Sequence, residues 1–463
     1  MSMSRRKKAR QQSLWVATDH LSTGSHPFYS RLNEILAADG FDEFVEKECE
    51  AFYKKGGRPS IPPGVYFRML MIGYFERIDS ERGICWRCGD SLSLRAFLGL
   101  ALQDRVPEHT SLSRIRQRLS VEVHQAVFQQ ILELLVRHHL VKGKTVGVDA
   151  TTLEANAAMR SIVRRDTGQS YEDFLADLAK ASGVETPTRE DLARLDRKRP
   201  KKGSNDDWYN PNDPDAQITR MKDGSTRMGH KLEHGVDLDT GAVLAVTLHG
   251  GAVGDTQSVT DTVDEAKDRL ETATQQIEDA ALHPTLAQEI VADKGYHGTD
   301  VIEHLQTRGH RTYVSEPQRG MRRWKGNNRG RDAVYANRRR IRGERGKRLL
   351  RKRGELLERP FEHCLNGGGM RRLHLRRHSK ILKRLFIHYA GLNLALMMRS
   401  LFGAGTPKQL ANVLGSAITT LGALRFAISR LIRRCAVLLL HFLRHRESHD
   451  PAIRPPAVAP LAG

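Results

Sequence analysis

Val146-Gly147-Val148-Asp149-Ala150-Thr151-Thr152 and Ile290-Val291-Ala292-Asp293-Lys294-Gly295-Tyr296 each deliver one aspartate at the end of an apolar run and then turn polar. An apolar run bounded by turn residues reads as a buried strand. An aspartate where such a strand emerges is costly unless it meets a cation or hydrogen-bond donors. Alone, either aspartate reads as a strand-end cap. Together, on adjacent strands, they would bring two carboxylates to one sheet edge. Hard carboxylate oxygens suit Mg²⁺ or Mn²⁺. Two such ions, about 3.5–4 Å apart, serve phosphodiester chemistry by activating the attacking oxygen and stabilising the leaving one.

The rest of the composition points the same way. The chain has 463 residues, enough for two or three domains. Its 75 Lys and Arg against 54 Asp and Glu give a net charge of +21 and an isoelectric point near 10.0. That excess predicts a polyanionic partner, DNA or RNA, held through phosphates. Five cysteines (Cys49, Cys85, Cys88, Cys364, Cys435) exclude a disulfide scaffold and fit a reducing, cytoplasmic, nucleoid-associated setting. Cys85 and Cys88 have zinc-like spacing, but no second pair completes four ligands, so they read as structural cysteines in a helix. The basic amino terminus has no apolar stretch behind it, which predicts no secretory leader. Gln409–Leu424 is too short and too rich in Gly and Thr to predict a membrane span, and Arg425, Arg430, Arg433 and Arg434 then break the apolar pattern. A packed amphipathic helix is expected there.

Four regions follow from the pattern. Residues 1–25 form a basic arm with Arg5, Arg6, Lys7, Lys8 and Arg10. Residues 26–135 are helical, with Leu32, Ile35 and Leu36 and then Phe67, Leu70, Met71 and Tyr74 at helical spacing and Pro62-Pro63 at a helix start. Within it, Pro107–Leu119 combines a turn with a basic helix, on which Arg114, Gln117 and Arg118 share one face. That face suits a DNA groove as well as it suits solvent. Residues 140–400 alternate strands and helices: a strand at Lys144–Ala150, a hairpin of Lys231–Asp237 with Ala242–Leu248, and a helix from Asp255 to Lys267 capped by Asp255 or Thr256. A strand at Glu289–Ala292, a helix at Thr299–Arg308 and a strand at Arg311–Val314 follow. A polar interruption at about 160–228 holds one possible helix, Tyr171–Ala181, and a turn-rich stretch at 210–215. The order predicts an α/β domain with a mixed sheet, of which an RNase H-like fold is one instance. Residues 401–463 form a helical, basic and then Pro-rich tail.

Leu349, Leu350, Leu356, Leu357 and Phe361 share a helical face, and Glu355 and Glu358, one turn apart, are both candidates for a third carboxylate. Helical spacing does not separate them. Just upstream, Arg319–Arg353 holds sixteen Lys or Arg, among them Arg322, Arg323, Arg338, Arg339, Arg340 and Arg353, against Asp332 and Glu344. Trp324 and Tyr335 lie among them. Such a run repels itself unless an anion is near, so phosphate contact with stacking on bases is expected.

These stretches resemble the DDE transposases of bacterial insertion sequences, especially the superfamilies numbered four and five and their relatives. The resemblance runs from about His26 to Arg399. Gly57-Arg58-Pro59, Asp90–Gly99 and Pro107–Ser113 resemble the family's helical amino-terminal domain. Val148-Asp149-Ala150-Thr151 resembles the first catalytic motif. Asp213-Pro214-Asp215-Ala216 and Val236–Gly241 resemble segments leading to the second motif, Ala292-Asp293-Lys294-Gly295-Tyr296. Glu358-Arg359-Pro360-Phe361 resembles the third. The resemblance therefore chooses Glu358 over Glu355. It implies an RNase H-like catalytic domain behind an all-helical DNA-binding domain. It also implies a site of Asp149, Asp293 and Glu358 on Mg²⁺ or Mn²⁺, two ions in all, and a homodimer or larger assembly on terminal repeats and target DNA. The chain departs from the family pattern at Gly354 and Leu365, where Arg and Lys are usual. The departure implies a subgroup in which Arg353 and the downstream basic residues bind the phosphates. A catalytically silent DNA-binding relative and a nuclease without strand transfer are the competing readings.

Overall fold

The computed structural model of the chain describes residues 26–412, apart from 58, 200–202, 222, 319–322 and 325, together with Met3, Arg425 and Ile428. The basic arm, Arg322 and almost all of the expected carboxy-terminal helix lie outside the described residues.

Seven helices come first: α1 (Pro27–Ala38), α2 (Phe41–Cys49), α3 (Pro63–Phe75), α4 (Glu81–Asp90), α5 (Leu92–Phe97), α6 (His109–Arg118) and α7 (Val121–Arg137). Four of the starts have a local cause. Proline opens α1 and α3, where its missing N–H costs nothing. Ser80 and Ser91 accept from Gly83 and Leu94 to cap α4 and α5. Every residue of α3 is buried, so this helix is the centre of the bundle. Its one arginine, Arg68, is 1% exposed and forks onto Asp42 at 2.6 and 3.1 Å.

The remaining elements are β1 (Thr145–Glu154), β2 (Val163–Arg164), α8 (Tyr171–Ala181), α9 (Arg189–Lys198), β3 (Trp208–Tyr209), β4 (Gln217–Arg220), β5 (Thr226–Asp237), β6 (Val243–Gly250), α10 (Asp255–Gln276), β7 (Glu289–Ala292), α11 (Thr299–Thr307), β8 (Arg311–Val314), α12 (Asn328–Arg342), α13 (Glu344–Leu356), α14 (Glu358–Phe361) and α15 (His378–Phe402). The main sheet runs β5–β1–β7–β8, with β6 and β4 both paired to β5. β1 is antiparallel to β5 and parallel to β7, and β7 is parallel to β8. This is the mixed sheet of an RNase H-like fold.

The helical bundle and the sheet share α15. It packs on α3 and α7 on one side and on β6 on the other. Asn393 completes the edge of β6 by bonding both the N–H and the carbonyl of Val243. Lys383 donates to the carbonyls of Arg116 and Leu119 at the end of α6, a cation at a helix carboxy terminus. The helix beginning at His378 is long and apolar enough to cross a membrane, but 72% of its most apolar window is buried inside the protein.

Two local expectations are corrected. The cap of α10 is Gly254, not Asp255 or Thr256, and the helix runs on to Gln276. The polar interruption is more than a loop. Ala155, Ile162, Trp208, Ala216 and Met228 form a small separate core there, with Tyr171 and Phe174 packed edge-on to the Trp208 indole. The turn-rich stretch anchors it. Asp213 is fully buried between the His230 imidazole and the backbone N–H of Arg377, and Asp215 accepts from the N–H of His378. α8 coincides with the expected helix, whereas α9 and the short strands carry too few apolar residues to announce themselves.

Candidate active site

The register of β1 against β7 brings the two aspartates together. The pairs are Thr145 with Glu289, Val146 with Ile290 and Gly147 with Val291. Asp149 and Asp293 each stand two residues past the last of these pairs, so the strands present them side by side at the end of β7. Asp293 ends its strand by turning the chain, and its carboxylate accepts from the N–H of Gly295 at 2.8 Å. Asp149 stays within β1, opposite His234 on β5.

Glycines allow the close approach that completes the site. A Cβ at Gly147 would lie 2.6 Å from Leu357 Cδ1 and 2.6 Å from Leu238 Cδ2. The missing side chain lets the α13–α14 connection settle on the sheet beside Asp149. A Cβ at Gly295 would lie 2.4 Å from Asp255 Oδ2 and 3.0 Å from Asp293 Oδ1. The Asp-Lys-Gly-Tyr turn therefore packs between two carboxylates and tolerates nothing larger.

Leu357 links α13 to α14 with helical φ and ψ, and its N–H still donates to the Arg353 carbonyl. Both glutamates are exposed. Glu355 pairs with Arg359 at 2.6 Å. Glu358 is near enough to Asp149 to act on its charge. Burial pushes the Asp149 carboxyl up to about 6; Arg353 and the Ala150 N–H oppose the shift, and the neighbouring Asp293 and Glu358 add to it. Arg353, on the last turn of α13, places Nη2 2.9 Å from Asp149 Oδ2 and 3.7 Å from Asp293 Oδ2. A cation thus already stands between the two aspartates.

The three acids offer only oxygen donors, which suits a hard divalent ion. With the guanidinium between them the acids are not drawn into a closed shell: no three His, Cys, Asp or Glu side chains among the described residues are gathered so as to hold an ion. The carboxylates would be the ligands, and the position of Arg353 marks where positive charge is wanted.

Behind the edge lies a second acidic group that sequence reasoning missed. Glu233 on β5 is fully buried and accepts from Ser258 at 2.8 Å, Thr262 at 2.5 Å and Tyr296 at 2.8 Å. The Lys231 ammonium lies 3.7 Å from it and 2.7 Å from Asp255, at the start of α10. The tyrosine that follows Gly295 is therefore a hydrogen-bond donor to the buried core of the site. Its signal was the Tyr296 position itself, read only as part of a motif. On the other side of the sheet, His234 stacks on Phe361 of α14 at 4.0 Å and meets the Tyr389 hydroxyl at 3.1 Å. Burial pushes the His234 imidazole down to about 3, so it is a neutral packing group.

The expected DNA-contact residues divide. On α6, Arg114 and Gln117 are exposed, while Arg118 lies over the Tyr53 ring at 4.8 Å. Arg114 and Arg118, with Arg105, border a cleft of about 400 Å³. The inner face of α6 is fixed by Arg116 and Ser113, both on Glu81. In the basic run, Arg323 and Arg339 are exposed. Arg338 forks onto Glu316 at 2.6 and 2.7 Å, and Arg340 donates to the carbonyl of Thr312. Trp324 is half-buried against Ile302, Ala333 and Val334 and edge-on to Tyr335. Arg227 and Arg372, not expected, flank Glu154 at the far end of β1.

Comparison with known families matches residues 16–118 to a transposase domain (DUF772) and residues 189–394 to the transposase DDE domain. The chain belongs to the DDE transposases of insertion sequences. In this transposase Asp293 and Glu358 fall inside the second match, and Asp149 lies in the stretch between the two. No curated protein and no solved structure matches the transposase.

Proposed function

We propose that this transposase cuts DNA at the ends of its element and joins the freed 3′-hydroxyl to target DNA in one metal-dependent site of Asp149, Asp293 and Glu358. The observation that carries the reading is the Arg353 guanidinium between two aspartates of neighbouring strands, with Glu358 beside them. A bound pair of Mg²⁺ or Mn²⁺ ions supplies activation of the attacking oxygen and stabilisation of the leaving one. Asp149 and Asp293 fix the position of that charge from the rigid sheet. Glu358 closes the site from the helical side. The Glu233, Lys231 and Tyr296 group holds the Asp293 turn and Asp255 in place from beneath. Exposed arginines of α12 and α13, Arg339 foremost, grip phosphates near the cut. Arg114 and Gln117 of α6 face the element's ends, with Arg118 in the adjoining cleft. No covalent protein–DNA intermediate is required, and assembly of two or more copies on DNA would bring both ends together.

Labelled duplexes carrying the element's end test this directly. The expected result is divalent-ion-dependent nicking followed by joining to a second duplex. Cleavage without joining would make the protein a nuclease, and binding without cleavage would make it a silent relative.

A further inference from the structure

Two arginines of α12 and α13 make forked ion pairs. Arg345 forks onto Glu289 with two bonds of 2.8 and 2.5 Å, and Arg338 forks onto Glu316 in the same way. Two parallel N–H···O bonds fix both partners, and such pairs are architectural locks. Arg353 is built otherwise. A single nitrogen, Nη2, serves two carboxylates on two strands, at 2.9 and 3.7 Å. Its Nε is buried with no hydrogen-bond partner. A buried donor left unsatisfied is a cost that a better acceptor would remove. The next residue, Gly354, has open space where a side chain would stand.

We infer that Arg353 is an exchangeable internal counterion. It neutralises Asp149 and Asp293 in the protein free of metal and DNA, and it surrenders them to the divalent ion when a DNA phosphate takes up its guanidinium. The inference rests on the metal-site reading given above. A phosphate offers Arg353 the two-oxygen acceptor that the divided aspartates do not. A divalent ion and the guanidinium cannot share the same carboxylate edge, because like charges there repel. DNA and metal therefore bind cooperatively, and the coupling is reciprocal: each raises the affinity of the other by the same factor. The metal-loaded state is held back until a strand is in place.

The test is Mn²⁺ binding to the full chain, read by electron paramagnetic resonance, with and without a short duplex of random sequence. In the wild type the duplex should tighten Mn²⁺ binding about tenfold, within the usual range of such couplings. Arg353→Gln should bind Mn²⁺ about tenfold more tightly than wild type without DNA, and the duplex should add little. Arg353→Lys, which keeps the charge but not the reach, should fall between the two. Thermal unfolding separates this from mere packing. Arg353→Gln should melt below wild type in a chelator and regain that loss in Mn²⁺, whereas a packing defect would persist in both. Unchanged or weaker Mn²⁺ affinity in both variants, with wild-type coupling to DNA, would overturn the exchange and leave the metal site standing. Absence of Mn²⁺ binding by the wild type even with DNA would overturn both.

Discussion

The two faces of β1 and β5 carry acids in opposite conditions. On the α10 face, Glu233 is sealed from water yet meets three hydroxyl donors and lies near a buried lysine. On the α13 face, Asp149 is partly exposed, receives its own chain's Ala150 N–H and shares one arginine nitrogen with Asp293. Burial raises both carboxyls; at Glu233 it is opposed by three hydroxyl donors and Lys231, at Asp149 by Arg353 and one backbone N–H. A buried charge with every partner in place belongs to the architecture. One left short of partners beside the end of β7 is a place for a ligand.

The widest separation between the two faces should appear in catalysis. Asp149→Asn or Asp293→Asn should lower strand cleavage by about a thousandfold or more, equivalent to some 4 kcal/mol of barrier. Binding of element ends and the melting temperature should hold near wild type, because the amide keeps the shape and removes a charge that the fold only half compensates. Either mutant cutting at the normal rate would end the active-site reading.

Glu355 and Glu358, one helical turn apart, make a second contrast. Glu358→Gln should lose cleavage to a similar degree, and Glu355→Gln, which pairs with the exposed Arg359, should keep most of it. The reverse pattern would move the third acid back along α13.

Glu233→Gln should behave as a stability variant. Disturbing a buried, fully bonded charge beside Lys231 should cost about 3 kcal/mol of unfolding free energy, measured by denaturant titration. Catalysis should fall only as far as the Asp293 turn loosens. Full stability with abolished cleavage would place Glu233 among the ligands and erase the distinction between the faces.

The same logic applied to arginines gives the smallest effect. Arg339→Ala should lessen the salt dependence of DNA binding by about one unit of slope, since its guanidinium is free for a phosphate. Arg338→Ala should change the slope little and lower stability instead, because that side chain is spent on Glu316. Equal slopes from the two would show that ion pairing in the free protein says nothing about the DNA-bound state.

Much of this was legible in the order of residues. The strands at Glu289–Ala292 and Arg311–Val314 and the helix at Tyr171–Ala181 stand where local pattern put them, since each is a short apolar or amphipathic run with turn residues at both ends. The core of the insertion was not legible, because a single Trp208 gathers apolar residues from distant segments and leaves no period in the sequence. The fates of Arg338, Arg340 and Trp324 were hidden for the same reason: a charge run looks uniform until each member finds or fails to find a partner.

By itself the sequence determined the mixed α/β architecture, the basic character that calls for a nucleic acid, and two aspartates that follow apolar runs, of which Asp293 ends β7 whereas Asp149 stands within the longer β1. Those properties follow from local hydrophobic pattern, composition and turn chemistry, which act between near neighbours. Only the tertiary structure decided that β1 and β7 pair in the register that sets Asp149 beside Asp293, that Glu358 comes near enough to act on Asp149 while Glu355 pairs with Arg359, and that Arg353 stands between the aspartates. Charges interact through space with a strength set by distance and burial, and neither quantity exists until the chain has folded.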